Sequence, residues 1–174
     1  MTQLGLLPTY LMDASSIVEL DGKHKAPSTS PTFTPKERVQ VWDGLEMLTK
    51  DGRLKLIKQV KTELALWNPD GLRRLTQYPG HKLVIRRTPN IVLEYQSITA
   101  KYKDIRPKPG RDKADPWLVL ACKLKGFCII CEELSLVERT STAKDLRIPD
   151  ICKMEGLIRP LKLREFANHQ GWIS

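Results

Sequence analysis

Apolar runs too short for helices alternate along this chain with segments of helical period. Pro8 to Asp13 has the composition of a short buried strand, and Phe127 to Cys131 that of a second. Weaker strand signals lie at Leu54 to Ile57, around Leu83 to Ile85 and near Leu157. Thr34-Pro35-Lys36-Glu37 is a capping-box pattern with proline at the first helical position. It opens a helix that sets Val39, Trp42, Leu45 and Leu48 on one face and stops at Asp51-Gly52. Lys58 to Trp67 reads as another helix, with Val60, Leu64 and Trp67 inward and Asn68-Pro69-Asp70-Gly71 breaking it. Ile91 to Tyr102, Asp115 to Leu124 (closed by Gly126) and most of Pro149 to Trp172 complete the helical segments. Parallel strands need long crossovers, which helices supply. The alternation therefore predicts an α/β fold, a three-layer α/β/α sandwich around a mostly parallel sheet of four to five strands. The length, 174 residues, suits a single domain over 1–174.

Several function classes drop out early. No apolar run approaches the roughly 20 residues of a membrane span, and the first residues lack a basic, then apolar, secretory pattern. A cytoplasmic protein without a membrane partner is expected. Cys128 and Cys131 form a C-x-x-C, but residues three apart on a strand face opposite ways and cannot share a metal ion. Core packing is the expected role of the cysteines. No glycine-rich phosphate loop or dinucleotide fingerprint occurs, and His24, His81 and His169 fit no metalloprotease spacing. Aspartyl-phosphate chemistry normally wants a second Asp two residues after the first, where this chain has Ser15.

The net charge of +9 favours a polyanionic partner. Lys101, Lys103, Arg106, Lys108, Arg111 and Lys113 crowd into one basic, proline-containing segment and form the candidate nucleic-acid-binding patch. Arg73, Arg74, Lys82, Arg86 and Arg87 extend it, and Tyr102 is expected to pack rather than stack on a base.

In an open parallel sheet, functional groups gather beyond the carboxyl ends of the strands. Asp13 ends the first strand, Glu132 and Glu133 end the strand at 127–131, Glu63 lies on the helix after the second strand, and Asp115 opens another helix. Singly, each has an ordinary explanation, Asp115 as an N-cap and Glu63 as a solvated helix residue. Jointly, they deliver carboxylates from four segments to one sheet edge. Such groups repel one another unless a cation compensates, and hard oxygen donors suit Mg2+ or Mn2+.

These motifs carry a resemblance. Tyr10-Leu-Met-Asp13-Ala-Ser15 resembles the opening strand and turn of PIN domains; Val60-Lys-Thr-Glu63-Leu64, Lys113-Ala-Asp115-Pro-Trp-Leu-Val-Leu-Ala-Cys and Ile129-Ile-Cys131-Glu132-Glu133 resemble the family's later acidic motifs. Order and spacing match over nearly the whole chain. Ile148-Pro-Asp-Ile-Cys, Gly156 and the ending Gly171-Trp172 are similar to one bacterial PIN-like branch of unknown function. The resemblance implies a PIN-like fold and metal-dependent endoribonuclease activity, with Asp13, Glu63, Asp115 and Glu133 as catalytic metal ligands and Ser15 supporting them. Glu132 remains the alternative fourth ligand. Ala14 and Cys131 stand where threonine is usual, and Glu133 where aspartate is commoner. The resemblance further implies RNA as substrate, a toxin role with a cognate antitoxin protein, and homodimerisation. The competing expectation is a PIN-like nucleic-acid or protein interaction module with weakened catalysis.

Overall fold

The computed structural model describes residues 8–22, 33–107, 113–139 and 145–174. Three strands, β1 (Tyr10–Met12), β2 (Leu54–Lys55) and β3 (Cys128–Ile130), form a parallel sheet in the order β2-β1-β3. Tyr10 pairs with Leu54 on one side and Cys128 on the other, and Met12 reaches Ile130. All residues of β1 and β3 are buried, as expected of parallel strands covered on both faces.

The sheet is smaller than the four to five strands expected. The weak strand signal at 83–85 contracts to one bridge between Leu56 and Lys82, and the one near Leu157 moves to a bridge between Ile130 and Leu161. The outer rows thus contribute single residues. Leu161 donates to the Ile129 carbonyl at 2.9 Å and accepts from the Cys131 amide at 3.0 Å, which finishes the β3 edge without a full strand.

Eight α-helices occur among the described residues: α1 (Ala14–Leu20), α2 (Pro35–Lys50), α3 (Lys58–Trp67), α4 (Pro69–Thr76), α5 (Pro89–Lys101), α6 (Asp115–Lys125), α7 (Ile148–Met154) and α8 (Leu163–His169). Helices α1, α2, α3 and α4 pack among themselves, as do α5, α6 and α7. The Thr34 capping box forms, with Glu37 reaching back to the Thr34 amide at 2.7 Å. Helix α6 is buried from Pro116 through Cys122 and ends on Gly126, whose φ of 66° suits a residue without Cβ. Burying a side chain such as Leu118 or Leu120 contributes roughly 1.5–3 kcal/mol.

Three local expectations change. Ala14 to Ser16, read as a turn, begins α1 because Asp13 caps it. Asn68 to Gly71 breaks α3 but also starts α4: Asn68 Oδ1 accepts the Gly71 amide at 3.1 Å, while its Nδ2 donates to Asp21 at 2.7 Å. Val39 and Trp67 are exposed, because Val41 and the neighbouring Leu64 fill the core-facing positions. Most of the loop at 22–35, and Lys108 and Arg111 of the basic segment, lie outside the described residues.

All four cysteines are buried and free, so packing is their role. Cys128 donates to the Arg159 carbonyl at 3.5 Å, whereas Cys131 lies buried beside Asp13 and Glu133. No helix among the described residues is long and apolar enough to cross a membrane.

Candidate functional site

Asp13 follows the central strand, so it emerges at the carboxyl edge between two neighbours. Its amide donates to Ile130 at 2.9 Å, fixing the first residue beyond β1 against the end of β3. With φ −86° and ψ 153° it takes the N-cap position of α1. Oδ2 accepts from the Ser15 amide at 3.2 Å and from Ser15 Oγ at 2.5 Å. Ser15 Oγ in turn accepts the Glu132 amide at 3.1 Å, so one hydroxyl ties the ends of β1 and β3 together. Burial pushes the Asp13 carboxyl above its usual range despite these bonds.

Glu63 comes from the middle of α3 and accepts the Ala114 amide at 3.3 Å, which brings α3 to the start of α6. Burial, more than any other cause, pushes its carboxyl above the usual range, and the charges of Asp13 and Glu133 add to this. Asp115 is the first residue of α6, but Ala114 occupies the cap position and makes no side-chain cap bond. The capping explanation for Asp115 therefore fails. Burial, then Glu133 and Asp13, push this carboxyl up to about 7, against a lesser pull from Lys113.

The two glutamates after β3 separate clearly. Glu132 Oε1 accepts the Leu163 amide at 2.7 Å and supports the start of α8. Glu133 turns the other way, accepting the Ile148 amide at 3.0 Å, with Arg147 at 3.5 Å. Burial raises Glu133 first, and the Asp13 charge adds to it. Asp13 thus acts on Glu63, Asp115 and Glu133, and Glu133 on Glu63 and Asp115, with Lys113 and Arg147 pulling the other way. These acids arrive from four segments and share one electrostatic environment.

A family model described as Domain of unknown function (DUF4411) matches residues 10–173. The chain belongs to this family. The matched span contains all five acids and Ser15, so the site lies wholly within the family's domain. No curated protein and no solved structure matches the chain.

Among the described residues, no three histidine, cysteine, aspartate or glutamate side chains stand close enough to hold one ion as placed. Each acid has a partner instead: Asp13 is held by Ser15, Glu63 by Ala114, and Glu133 by Ile148 and Arg147. The chemistry of the donor set nonetheless fits a hard divalent cation. Buried carboxylates that repel one another gain most from a shared positive charge.

The basic residues divide. Lys101 is bound to Glu155 at 2.6 Å and lies over the Tyr102 ring, far into a structural network that also holds Lys123. Tyr102 is buried, and its hydroxyl bonds Glu155 at 2.5 Å, so it packs as expected. Lys103 and Arg106 are exposed, and Lys113 acts electrostatically on Asp115 and Glu63. Arg73 pairs with Asp70 at 3.0 Å, whereas Arg74 pairs with Glu46 and covers Trp42. Arg87 lies over Trp117, two residues beyond Asp115. His81 is buried against the Tyr78 carbonyl, and neither it nor His169 joins the acids; His24 lies outside the described residues.

Two residues at the site escape sequence reasoning. Arg147 reaches Glu133, and Lys162 Nζ donates to the Glu133 carbonyl. Each sits in a connection with no local pattern, and only the return of the chain to β3 brings them there.

Proposed function

We propose that this protein is a divalent-metal-dependent endoribonuclease of the PIN type, with the finer architecture of a three-layer α/β/α sandwich, acting in the cytoplasm. The observation that carries this reading is the shared electrostatic environment of Asp13, Glu63, Asp115 and Glu133 beyond the sheet's carboxyl edge. A cluster of structural acids would be expected to pair with arginine or lysine throughout, whereas Asp115 is pushed above its ordinary value by burial and by other carboxylates.

These four carboxylates would hold Mg2+ or Mn2+, with Glu132, which accepts the Leu163 amide, as the alternative fourth ligand. Such an ion, when bound, supplies an activated water and offsets charge on the leaving oxygen of a phosphodiester. Ser15 is a positioning residue, fixing the Asp13 carboxylate while it anchors the end of β3. Lys113, Lys103 and Arg106 draw the phosphate backbone towards an otherwise anionic site. A toxin role, with an antitoxin protein covering the site and a second copy of the chain as partner, belongs to the same reading.

The test is cleavage of labelled RNA with and without Mn2+. Metal-dependent cleavage that disappears in Asp13→Asn supports the nuclease. Binding of RNA without cleavage at any metal concentration sinks it and favours the interaction module.

A further inference from the structure

A cavity of about 430 Å3 lies between the segment after β3, helix α7 and residues 156–162. Pro149, Leu157 and Pro160 give it apolar walls, and Lys153, Arg159 and Lys162 bring three cations to it. Cys131 and Glu133 also line it, so it is continuous with the acidic site.

Its walls are tied to the sheet. Leu161 bonds both Ile129 and Cys131, and Cys128 holds the Arg159 carbonyl at 3.5 Å. Asp150 accepts the Leu136 amide at 2.7 Å, joining α7 to the segment after β3, and Leu157 donates to Cys152 at 2.8 Å. The Ser135 amide and hydroxyl donate to Glu138 at 2.8 and 2.6 Å, so this wall acid is held in place. Arg159 shares its charge with Glu165, and Lys162 with the Glu133 carbonyl, whereas Lys153 is exposed at the cavity. The shape is therefore preformed, with a mainly apolar interior and positive charge around it, as in pockets that take a ring system bearing an anionic group.

We propose that this cavity binds one nucleotide of the substrate strand, base against Leu157, Pro149 and Pro160 and phosphate towards Lys153 and Arg159, next to the bond presented to Glu133. This rests on the nuclease reading for the identity of the strand. The volume lies within the roughly 300–1,000 Å3 of small-molecule sites, and too little of it is polar to suit a bare phosphate. An acidic peptide would satisfy the lysines but would leave the apolar walls uncovered, which disfavours it. Glu138, which keeps one carboxylate oxygen beyond its Ser135 bonds, supplies an acceptor for an exocyclic amino group, giving the site a means of choosing among bases.

The experiment is amide chemical-shift titration of the full-length chain in EDTA, with the four nucleoside 5′-monophosphates, inorganic phosphate and a short poly-glutamate peptide added separately. At least one nucleotide is expected to shift residues 153–162 and to bind about tenfold tighter than inorganic phosphate, because a base buries apolar surface that phosphate lacks. Lys153→Ala, at an exposed position that the fold does not need, should weaken that nucleotide about threefold or more. No shifts, equal binding of inorganic phosphate, or preference for the peptide each overturns the proposal. The readout needs neither metal nor turnover. A chain that binds the nucleotide but never cuts RNA defeats only the nuclease reading, and one that cuts RNA without filling the cavity defeats only this one.

Discussion

Glu132 Oε1 accepts the backbone amide of Leu163 at 2.7 Å, while its neighbour Glu133 accepts that of Ile148 at 3.0 Å and is raised by the Asp13 charge. Two adjacent residues of one type thus hold the starts of two different helices, α8 and α7, and Glu133 alone of the pair is also met by Arg147. Glu132→Ala should lose about 2 kcal/mol of stability by leaving a buried amide unpaired. Glu133→Gln should lower Mn2+ affinity about tenfold or more. Denaturant unfolding and metal titration of the same two variants separate these effects. Loss of metal affinity in Glu132→Ala but not in Glu133→Gln would reverse the assignment.

Stability of the metal-free protein should fall as pH rises across the site's titration. Asp115 ordinarily titrates at 3.8 and is pushed up to about 7, and Asp13, Glu63 and Glu133 shift in the same direction. The folded chain then binds more protons than the unfolded one between these values, so the slope of stability with pH is negative there. The stabilisation is complete below about pH 4 and gone above about pH 7. Glu37 and Glu155 work the other way, since arginine and lysine partners hold them down to about 2, and their contribution is lost as pH falls towards that value. Unfolding midpoints measured from pH 3 to 8 should therefore peak at about pH 4–5 in EDTA. Mn2+ should raise stability most at the alkaline end, where its ligands are already deprotonated.

Lys101 and Lys113 flank the same basic segment but should behave differently. Lys101→Ala breaks the bond to Glu155 and should lower stability slightly with RNA affinity unchanged. Lys113→Ala should weaken RNA binding and reduce the salt slope by about 0.7 if one phosphate contact is lost. Fluorescence anisotropy at several salt concentrations measures both. Equal salt slopes for the two variants would refute the division.

Gly44→Ala should destabilise the fold although alanine favours helices. A Cβ at this position in α2 would run into the Trp172 indole, which itself packs edge-on against Phe166 at 5.3 Å. The steric cost of roughly 1–3 kcal/mol exceeds the helix-propensity gain of up to about 1 kcal/mol. The net loss, up to about 2 kcal/mol, is read by urea unfolding. Increased stability would show that the chain end does not press on α2 in solution.

What this sequence settles by itself is local. The capping box at Thr34, the span Lys58–Trp67, the Gly126 stop after α6 and the buried runs at 10–12 and 128–130 follow from propensity, caps and period. The same local logic puts Asp13 and the Glu132-Glu133 pair at strand ends. It cannot rank the two glutamates, because adjacent side chains leaving a strand differ only in what each meets. The Leu163 amide for Glu132, and the Ile148 amide with Arg147 for Glu133, make that choice, and all come from later parts of the chain. Sheet width is likewise a tertiary matter: Lys82 and Leu161 pair only where the neighbouring backbone passes within hydrogen-bond distance. The opening pattern of strand, acid and serine was legible because it is one continuous segment. The Ser15 bridge to Glu132, the arrival of Arg147 at Glu133 and the cavity beyond them were not, since long-range packing alone brings their parts together.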